Sequence, residues 1–344
     1  MPDPNGAQEA GRRRPASSSG YLARRRRTGL WLVAPALLVL LGVLAYPIAS
    51  AALLSFQHVT FAPGGITSQW TGLDNYQRLL ADPTFSLALR NSVYFTAVEV
   101  VAVVALSLVV ALLLNTPSGR HPFFRVALLI PWALAPVANA VLWKWIYNAN
   151  YGVLNALAVQ LGIVDHKVVW LGDPFLALNM ILVADAWKAI PFITLLLLAG
   201  LQNIPGQLYR AARVDGAGAW ARFRYVTLPG LRTPLLVAIV LQSIWALKVF
   251  DLIYVLTKGG PRDGTVVLNF LAWRVTFNFL DVGYGAAIAS VLFVLMFVLA
   301  IGYVWTLDPD RRRRDRTTAS PVVGPGEGAG PPGVGAPGAG ESSA

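Results

Sequence analysis

The chain is 344 residues long, and with 56% hydrophobic and 13% charged residues it is too apolar for a soluble protein of two domains. It has no cysteine and only three histidines, scattered over three loops, which excludes disulfides and thiol chemistry and argues against a metal site. The net charge of +11 comes from arginines clustered in a few stretches, which indicates basic loops of a membrane protein and not a nucleic-acid-binding surface.

Six apolar stretches are long enough to cross about 30 Å of hydrocarbon as helices. They lie near residues 29–56, 92–115, 126–147, 176–201, 233–257 and 284–307. The first contains Ala49-Ser50-Ala51, which resembles a signal-peptidase site, but its continuation to Phe56 favours a retained span over a cleaved signal peptide. The sequence therefore predicts an all-α membrane protein with six transmembrane helices, with Pro131, Pro136 and Pro191 as sites of bending.

The positions of lysine and arginine predict how the spans are oriented. With the N-terminus in the cytoplasm, 19 of these residues lie in cytoplasmic segments and six in outer loops. We therefore expect a multi-pass protein of the cytoplasmic membrane with both termini in the cytoplasm. Residues 1–27 and 309–344 lack apolar periodicity, which predicts two disordered tails around a membrane domain of residues 28–308. The arginines of 311–314 suit contact with anionic membrane lipid, with partner binding as the alternative.

The predicted cytoplasmic loop 202–232 is long and patterned. Pro205 suits the first turn of a helix, and Asp215-Gly216 suits its end. A second short helix follows over about 217–226, so the loop is predicted to form a helix-turn-helix outside the bilayer.

One face of the first predicted helix carries Leu208, Ala211 and Ala212 at helical spacing, and the two alanines would let another protein surface approach closely. On spacing alone, an interfacial helix resting on lipid headgroups is an equally good interpretation. In that case the anchoring side chains would be Trp220, Phe223 and Tyr225.

The loop also contains Ala211-Ala212, followed by Asp215-Gly216-Ala217 and then by Phe223 and Leu228-Pro229. This pattern resembles the coupling loop of ATP-binding-cassette importer permeases. Further segments similar to the carbohydrate-type permeases are Gly72–Tyr76, Asn91, Pro131-Trp132, Trp187-Lys188, Pro191-Phe192, Ala199–Gln202, Ile204-Pro205, Phe250–Thr257 and Gly259-Gly260-Pro261. The resemblance covers about residues 29–307.

The resemblance implies the MetI-like fold of type I importer permeases and a role as the permease subunit of a binding-protein-dependent sugar importer. The implied partners are a second, homologous permease, two ATPase subunits that bind ATP and Mg, an extracytoplasmic solute-binding protein and a sugar. The implied ATPase-coupling residues are Leu208, Arg210, Ala211, Ala212, Asp215, Gly216, Ala217, Phe223 and Pro229.

Arg210 departs from the family pattern, which has an acidic residue at this position. In the family, that carboxylate resembles a docking anchor for a basic residue in a groove of the ATPase. We therefore expect Arg210 either to pair with an acidic residue of its own ATPase or to leave the anchoring to the second permease.

The chain is not expected to hydrolyse ATP or to be an enzyme. A phosphate-binding loop needs Lys followed by Ser or Thr, and none of the five lysines precedes either residue. The outer loops show no Ser-His-acid or paired-carboxylate arrangement. Energy must therefore come from a partner ATPase or from an ion gradient, and no cofactor is expected in this chain.

Six ionisable residues fall within the predicted spans: Glu99, Lys144, Asp185, Lys188, Lys248 and Asp251. A charge in a transmembrane helix costs at least ~2.5–3.5 kcal/mol, so these side chains should face the bundle interior or water, and pair. Asp185 and Lys188 are three residues apart on one helix, and we expect them to form a structural ion pair.

The fifth span is a candidate substrate pathway. Its candidate residues are Trp245, Lys248, Phe250, Asp251 and Tyr254. Aromatic rings pack against the C–H faces of a sugar, and polar groups hydrogen-bond its hydroxyls. The alternative is that these rings pack against a neighbouring helix.

Two other functional classes stay open at this point. A secondary transporter would use Glu99, the one intramembrane carboxyl without a lysine nearby in sequence, for ion coupling. A permease-like scaffold that transports nothing would be consistent with the inverted charge of Arg210.

Overall fold

The computed structural model describes residues 18–62, 65–116 and 122–307. Its helices are α1 (Ser18–Leu54), α2 (Asp74–Ala81), α3 (Pro83–Leu114), α4 (Pro122–Ala133), α5 (Pro136–Ile146), α6 (Val153–Gln160), α7 (Pro174–Gln202), α8 (Gly206–Val214), α9 (Ala219–Arg222), α10 (Leu228–Gly230), α11 (Arg232–Leu247), α12 (Asp251–Leu256), α13 (Leu268–Trp273) and α14 (Val282–Leu307). Two π-helical turns, Phe223–Thr227 and Arg274–Asn278, extend α9 and α13. The strands are β1 (Gln57–Ala62) and β2 (Gly65–Trp70).

Five segments of the described residues are long and apolar enough to cross a membrane. They are Trp31–Leu54 in α1, Pro83–Leu114 in α3, Pro174–Gln202 in α7, Arg232–Leu256 across α11 and α12, and Val282–Tyr303 in α14. The predicted third span is not one helix, because α4 and α5 meet at 93°. Ala135 has an extended ψ of 144°, since the residue before Pro136 avoids the helical region. The predicted six spans are reached if this bent pair crosses as one.

The prediction of an all-α chain is wrong for residues 57–62 and 65–70, which form two strands. Strands β1 and β2 pair antiparallel, with Val59 opposite Ser68 and Thr60 opposite Thr67. The hydroxyls of Thr60 and Thr67 lie 2.6 Å apart, a cross-strand contact that stabilises a hairpin. Asn75 of α2 donates hydrogen bonds to the backbone oxygens of Ser55 and Gln57 at 2.9 and 3.0 Å, which holds the hairpin against the end of α1.

Two long spans begin at aspartate caps followed by proline. Asp82 precedes α3 and accepts a hydrogen bond from Thr84 N at 2.8 Å. Asp173 precedes α7 and accepts bonds from two backbone amides of its first turn. Such caps satisfy amides that have no partner within the helix. Burial raises the pKa of Asp82, but hydrogen bonds from Tyr284 and Thr84 lower it by more, so its pKa lies below the ordinary value.

The buried core lies among α3, α7, α11 and the helices after it. Its largest fully buried side chains include Phe95, Ile181, Ile253, Phe270 and Ile288. A second buried cluster around Val103, Ile193, Leu197 and Leu231 packs the other ends of α3, α7 and α11 together. By contrast, the span of α1 has no buried residue in its most apolar window, so nearly all of its side chains face away from the chain, as lipid-contacting side chains do.

The segment 202–232 forms α8, a turn at Gly216, then α9, a π-turn and α10. Gly216 has φ +76°, a left-handed conformation that glycine adopts without steric cost. The placement of this segment in the cytoplasm stays a prediction. Of the predicted tails, residues 1–17 and 308–344 lie outside the described residues, whereas α1 already begins at Ser18.

Candidate functional site

A cavity of about 410 Å³ lies between α3, the bend of α4 and α5, α7, and the junction of α11 and α12. Its lining residues are Glu99, Trp132, Pro136, Asn139, Asp185, Lys188, Ala189, Gln242, Trp245, Lys248, Val249, Phe250, Asp251 and Leu252. Charged, amide and indole side chains from several spans therefore meet at one place inside an otherwise apolar bundle.

Two interruptions of helical structure form part of the cavity wall. One is the bend before Pro136, and the other is the segment 248–250, where Phe250 has φ −145° and ψ −59°. The backbone oxygen of Lys248, which this second break leaves without a helical partner, accepts a hydrogen bond from Asn269 at 2.9 Å. Non-helical backbone at membrane depth occurs where it is buried in protein or lines a cavity, and both breaks fit this rule.

The structure places four of the five predicted pathway residues at this cavity: Trp245, Lys248, Phe250 and Asp251. Tyr254 is not in the lining. Its ring stacks on Phe250 with centroids 5.6 Å apart and meets Trp273 edge-on at 5.0 Å. For Tyr254, the alternative of packing between helices therefore describes the observed contacts.

Asp185 and Lys188 both line the cavity but are not a direct ion pair. Within the described residues, the ion pairs closer than 4.0 Å are Arg78–Asp281 and Arg274–Asp263. The Asp185 carboxyl shares the cavity wall with the carboxyls of Glu99 on α3 and Asp251 on α12. Residues three apart share a helix face, and both side chains reach the cavity from α7 without approaching within 4.0 Å of each other.

Sequence reasoning did not assign Asn139 and Gln242 to the site. Gln242 is 1% exposed and donates a hydrogen bond from Nε2 to Glu99 Oε1 at 2.8 Å. Asn139 is also 1% exposed, and its Nδ2 donates to the backbone oxygen of Ala184 at 3.4 Å. The signal that could have found them is the presence of amide side chains inside strongly apolar helices.

Lys144 is the intramembrane charge that the cavity does not include. It lies in the last turn of α5 and is exposed. From the end of a helix, a long lysine side chain can extend its ammonium group towards the membrane surface. Lys144 therefore differs from the other five intramembrane charges in lying outside this cavity, at a helix end from which it can reach water.

The predicted coupling residues lie together on α8 and the turns after it. Those exposed are Leu208, Arg210, Ala211, Asp215, Gly216 and Pro229, and those half-buried are Ala212, Ala217 and Phe223. Tyr209 links α8 to the π-turn through its hydroxyl, 3.0 Å from Thr227 Oγ1. Helix α8 thus stands out from the body of the chain, with most of its surface uncovered.

Comparison with known proteins supplies a family and a fold. Residues 101–313 match the family described as the binding-protein-dependent transport system inner membrane component. The trehalose/maltose transport system permease protein MalF of Thermococcus litoralis is 40% identical over 293 residues, which cover 85% of this chain and 96% of that protein.

Two solved structures share the fold at low sequence identity. One is a bacterial alginate ABC transporter in complex with a periplasmic protein that holds an alginate pentasaccharide, with a TM-score of 0.69 and 20% identity over 81% of this chain and 93% of that chain. The other is a bacterial ABC transporter that imports the acidic polysaccharide alginate, with the same TM-score and identity over 87% of this chain and 99% of that chain. The expected helical, MetI-like permease fold is therefore confirmed.

Proposed function

This chain belongs to the family of binding-protein-dependent transport system inner membrane components, and from that premise we propose that it is the permease subunit of an ATP-driven sugar importer whose solute path runs through the cavity around Gln242. The composition of the cavity wall is the observation that supports this path. The indoles of Trp132 and Trp245 lie beside charged and amide groups, and sugars need both rings for their C–H faces and partners for their hydroxyls.

The connection between α8 and the cavity supports a coupling role for the loop. Helices α7 and α11 flank this loop in the chain, and the same two helices carry Asp185 and Gln242 at the cavity. At their loop ends they pack closely, because a Cβ added to Gly200 would lie 2.6 Å from Cγ of Pro234. In this mechanism, a force applied to α8 by an ATPase moves two walls of the cavity together.

The assembly that we propose contains a second, homologous permease, two ATPase subunits and an extracytoplasmic solute-binding protein. The solved relative in complex with a periplasmic protein supports the last of these. ATP and Mg bind to the ATPases, so this chain supplies passage and coupling and no bond chemistry. We place α8 and both termini on the cytoplasmic side of the membrane, where the ATPases are.

Uptake by the reconstituted system tests this function. The permease, its binding protein and the ATPase subunits that co-purify with its tagged C-terminus are placed in proteoliposomes with radiolabelled maltose and trehalose. We expect sugar uptake that requires ATP and is abolished by a catalytic-site mutation in the ATPase. Uptake that continues with this mutant and stops when the ion gradient is collapsed would instead establish a secondary transporter, and a chain that purifies without an ATPase would contradict the importer.

A further inference from the structure

An open cleft of about 310 Å³ lies at the corner formed by the π-turn after α9, by α10 and by the start of α11. It shares no lining residue with the central cavity. Its wall consists of two arginines and four apolar residues: Arg224, Leu228, Pro229, Arg232, Leu235 and Leu236. Of these, only Pro229 is also a predicted coupling residue. The cleft is therefore a separate feature with a cationic part and an apolar part, and the function proposed above gives it no role.

The two guanidinium groups of the cleft have no acidic partner within the part of the chain that the structure describes. Arg224 and Arg232 are both exposed, and neither belongs to the ion pairs closer than 4.0 Å found there. Residues 202–250 contain one acidic residue, Asp215, against five arginines and one lysine. The cleft can therefore take up an anion from outside the chain. Guanidinium groups donate paired hydrogen bonds to phosphate oxygens, so a phosphate group suits this site.

The cleft lies where a membrane span begins. The candidate span across α11 and α12 starts at Arg232, and Leu235 and Leu236 follow one helical turn further into it. On the segment that leads into the cleft, Trp220 and Tyr225 are 74% and 76% exposed, and large amphipathic rings of this kind are enriched at membrane surfaces. Arginines at the start of a span, with leucines one turn deeper, match the order of headgroup and acyl chain in a lipid.

We propose that this cleft binds one anionic phospholipid, with the phosphate at Arg224 and Arg232 and an acyl chain beside Leu235 and Leu236. A soluble phosphate would use the arginines but leave the apolar part of the wall in water, whereas an acyl chain covers it. A zwitterionic lipid has the same phosphate but also a cation of its own, which cancels the attraction for two positive charges. Helix α8 stays available to an ATPase, so the coupling and lipid interpretations of the loop apply to different parts of it.

The test measures lipid binding to the purified complex by native mass spectrometry. The complex is washed in mild detergent to remove endogenous lipid and is then titrated with phosphatidylglycerol or with phosphatidylcholine of the same acyl chains. The variants are Arg224→Gln, Arg232→Gln and the double variant. The matched control is Arg213→Gln, because Arg213 is an exposed arginine of α8 that does not line the cleft. Co-purification of the ATPase reports assembly, and glycerophosphoglycerol serves as a soluble competitor that has the headgroup without acyl chains.

We expect the wild-type complex to bind phosphatidylglycerol at least about tenfold more tightly than phosphatidylcholine, since each basic residue near an anionic lipid gives about a fivefold gain in affinity. Each single variant should weaken phosphatidylglycerol binding about fivefold and the double variant about twentyfold, with phosphatidylcholine binding unchanged. Arg213→Gln should bind both lipids as the wild type does. Glycerophosphoglycerol in about a hundredfold excess should not displace the lipid, because it lacks the apolar contacts. All variants should retain the ATPase.

Four results would overturn the proposal. Unchanged phosphatidylglycerol binding in the variants would leave the two arginines without a role in it, and equal binding of both lipids by the wild type would remove the charge selectivity. Displacement by glycerophosphoglycerol would make the cleft a site for a soluble phosphate. Loss of the ATPase from Arg224→Gln or Arg232→Gln, but not from Arg213→Gln, would assign the cleft to the ATPase interface. The titration applies equally to a chain that purifies without an ATPase, so failure of the importer and failure of this inference are distinguishable.

Discussion

The buried carboxyl of Glu99 shows how single residues set the properties of the cavity. An ionisable group within a span costs at least ~2.5–3.5 kcal/mol, and the hydrogen bond from Gln242 offsets part of that cost. Sequence reasoning identified both acids as intramembrane charges. It did not identify Asn139 or Gln242, because an amide in an apolar helix gives no indication of which neighbour it faces until the helices are packed.

Arg210 provides a prediction about docking. Its side chain is exposed on α8, and if it faces an acidic residue of the ATPase, the variant Arg210→Glu places two like charges together. Such a juxtaposition costs several kcal/mol at an interface, so we expect at least about tenfold less ATPase to co-purify with the tagged variant, and a matching loss of ATP-dependent uptake.

The matched control for this prediction is Arg213→Glu, which reverses an exposed arginine on the same helix outside the coupling pattern. We expect it to retain most of the ATPase. If Arg210→Glu assembles and transports like the wild type, the charge at this position is not used, and the anchoring falls to the second permease.

At the scale of elements, long apolar stretches predicted the spans well, since each is long enough to cross the membrane and to form its own backbone hydrogen bonds. The prolines had mixed outcomes. Pro136 begins α5 at the bend, whereas Pro131 and Pro191 lie inside α4 and α7, which continue through them. Burial of Pro191 within α7 is a tertiary effect that the sequence pattern does not contain.

The break between α11 and α12 had no local signal. Residues 248–250 contain neither glycine nor proline, and the bond from Asn269 to the Lys248 oxygen comes from 21 positions along the chain. The β hairpin was missed for a different reason. Its strands are only six residues each and lie between two predicted spans, where span counting gives no information. Both features are decided by contacts that follow from the fold.

Close packing of α7 on α11 gives a prediction about stability. At Gly200, a methyl group would meet the rigid ring of Pro234, whose Cγ and Cβ would lie 2.6 and 2.9 Å away. Overpacking of this kind costs about 1–3 kcal/mol, which outweighs the gain of about 0.5–1 kcal/mol from replacing glycine by alanine in a helix. We therefore expect Gly200→Ala to lower the thermal midpoint of the detergent-purified complex.

Gly206→Ala is the control for this prediction, because Gly206 starts α8 and nothing lies within 4 Å of an added Cβ. Its midpoint should equal that of the wild type. A Gly200→Ala complex that is as stable as the wild type would show that α7 and α11 can separate at this point without cost, and that the cavity walls are not held together there.

The proposed solute path and the proposed ATPase-coupling helix lie at different depths in the molecule. The cavity lies among the spans, α8 projects from their ends, and α7 and α11 run between the two. The direction in which this arrangement works depends on which side of the membrane α8 occupies, and that in turn depends on whether the bent pair α4 and α5 crosses. The positive-inside rule predicts a cytoplasmic N-terminus. If α4 and α5 do not cross the membrane, the chain makes one crossing fewer before α8, and α8 would then lie outside.

The absence of native cysteine makes this question testable with single cysteines and a membrane-impermeant maleimide in intact cells. Ser68→Cys in β2, Tyr151→Cys after α5 and Arg213→Cys in α8 all replace exposed residues. With six crossings, we expect labelling of the first two from outside, and of Arg213→Cys only after permeabilisation. With five crossings, Ser68→Cys is still labelled from outside, which makes it the control. Tyr151→Cys is then labelled only after permeabilisation, and Arg213→Cys is labelled from outside. That exchange would put α8 beyond the reach of a cytoplasmic ATPase and would contradict the importer.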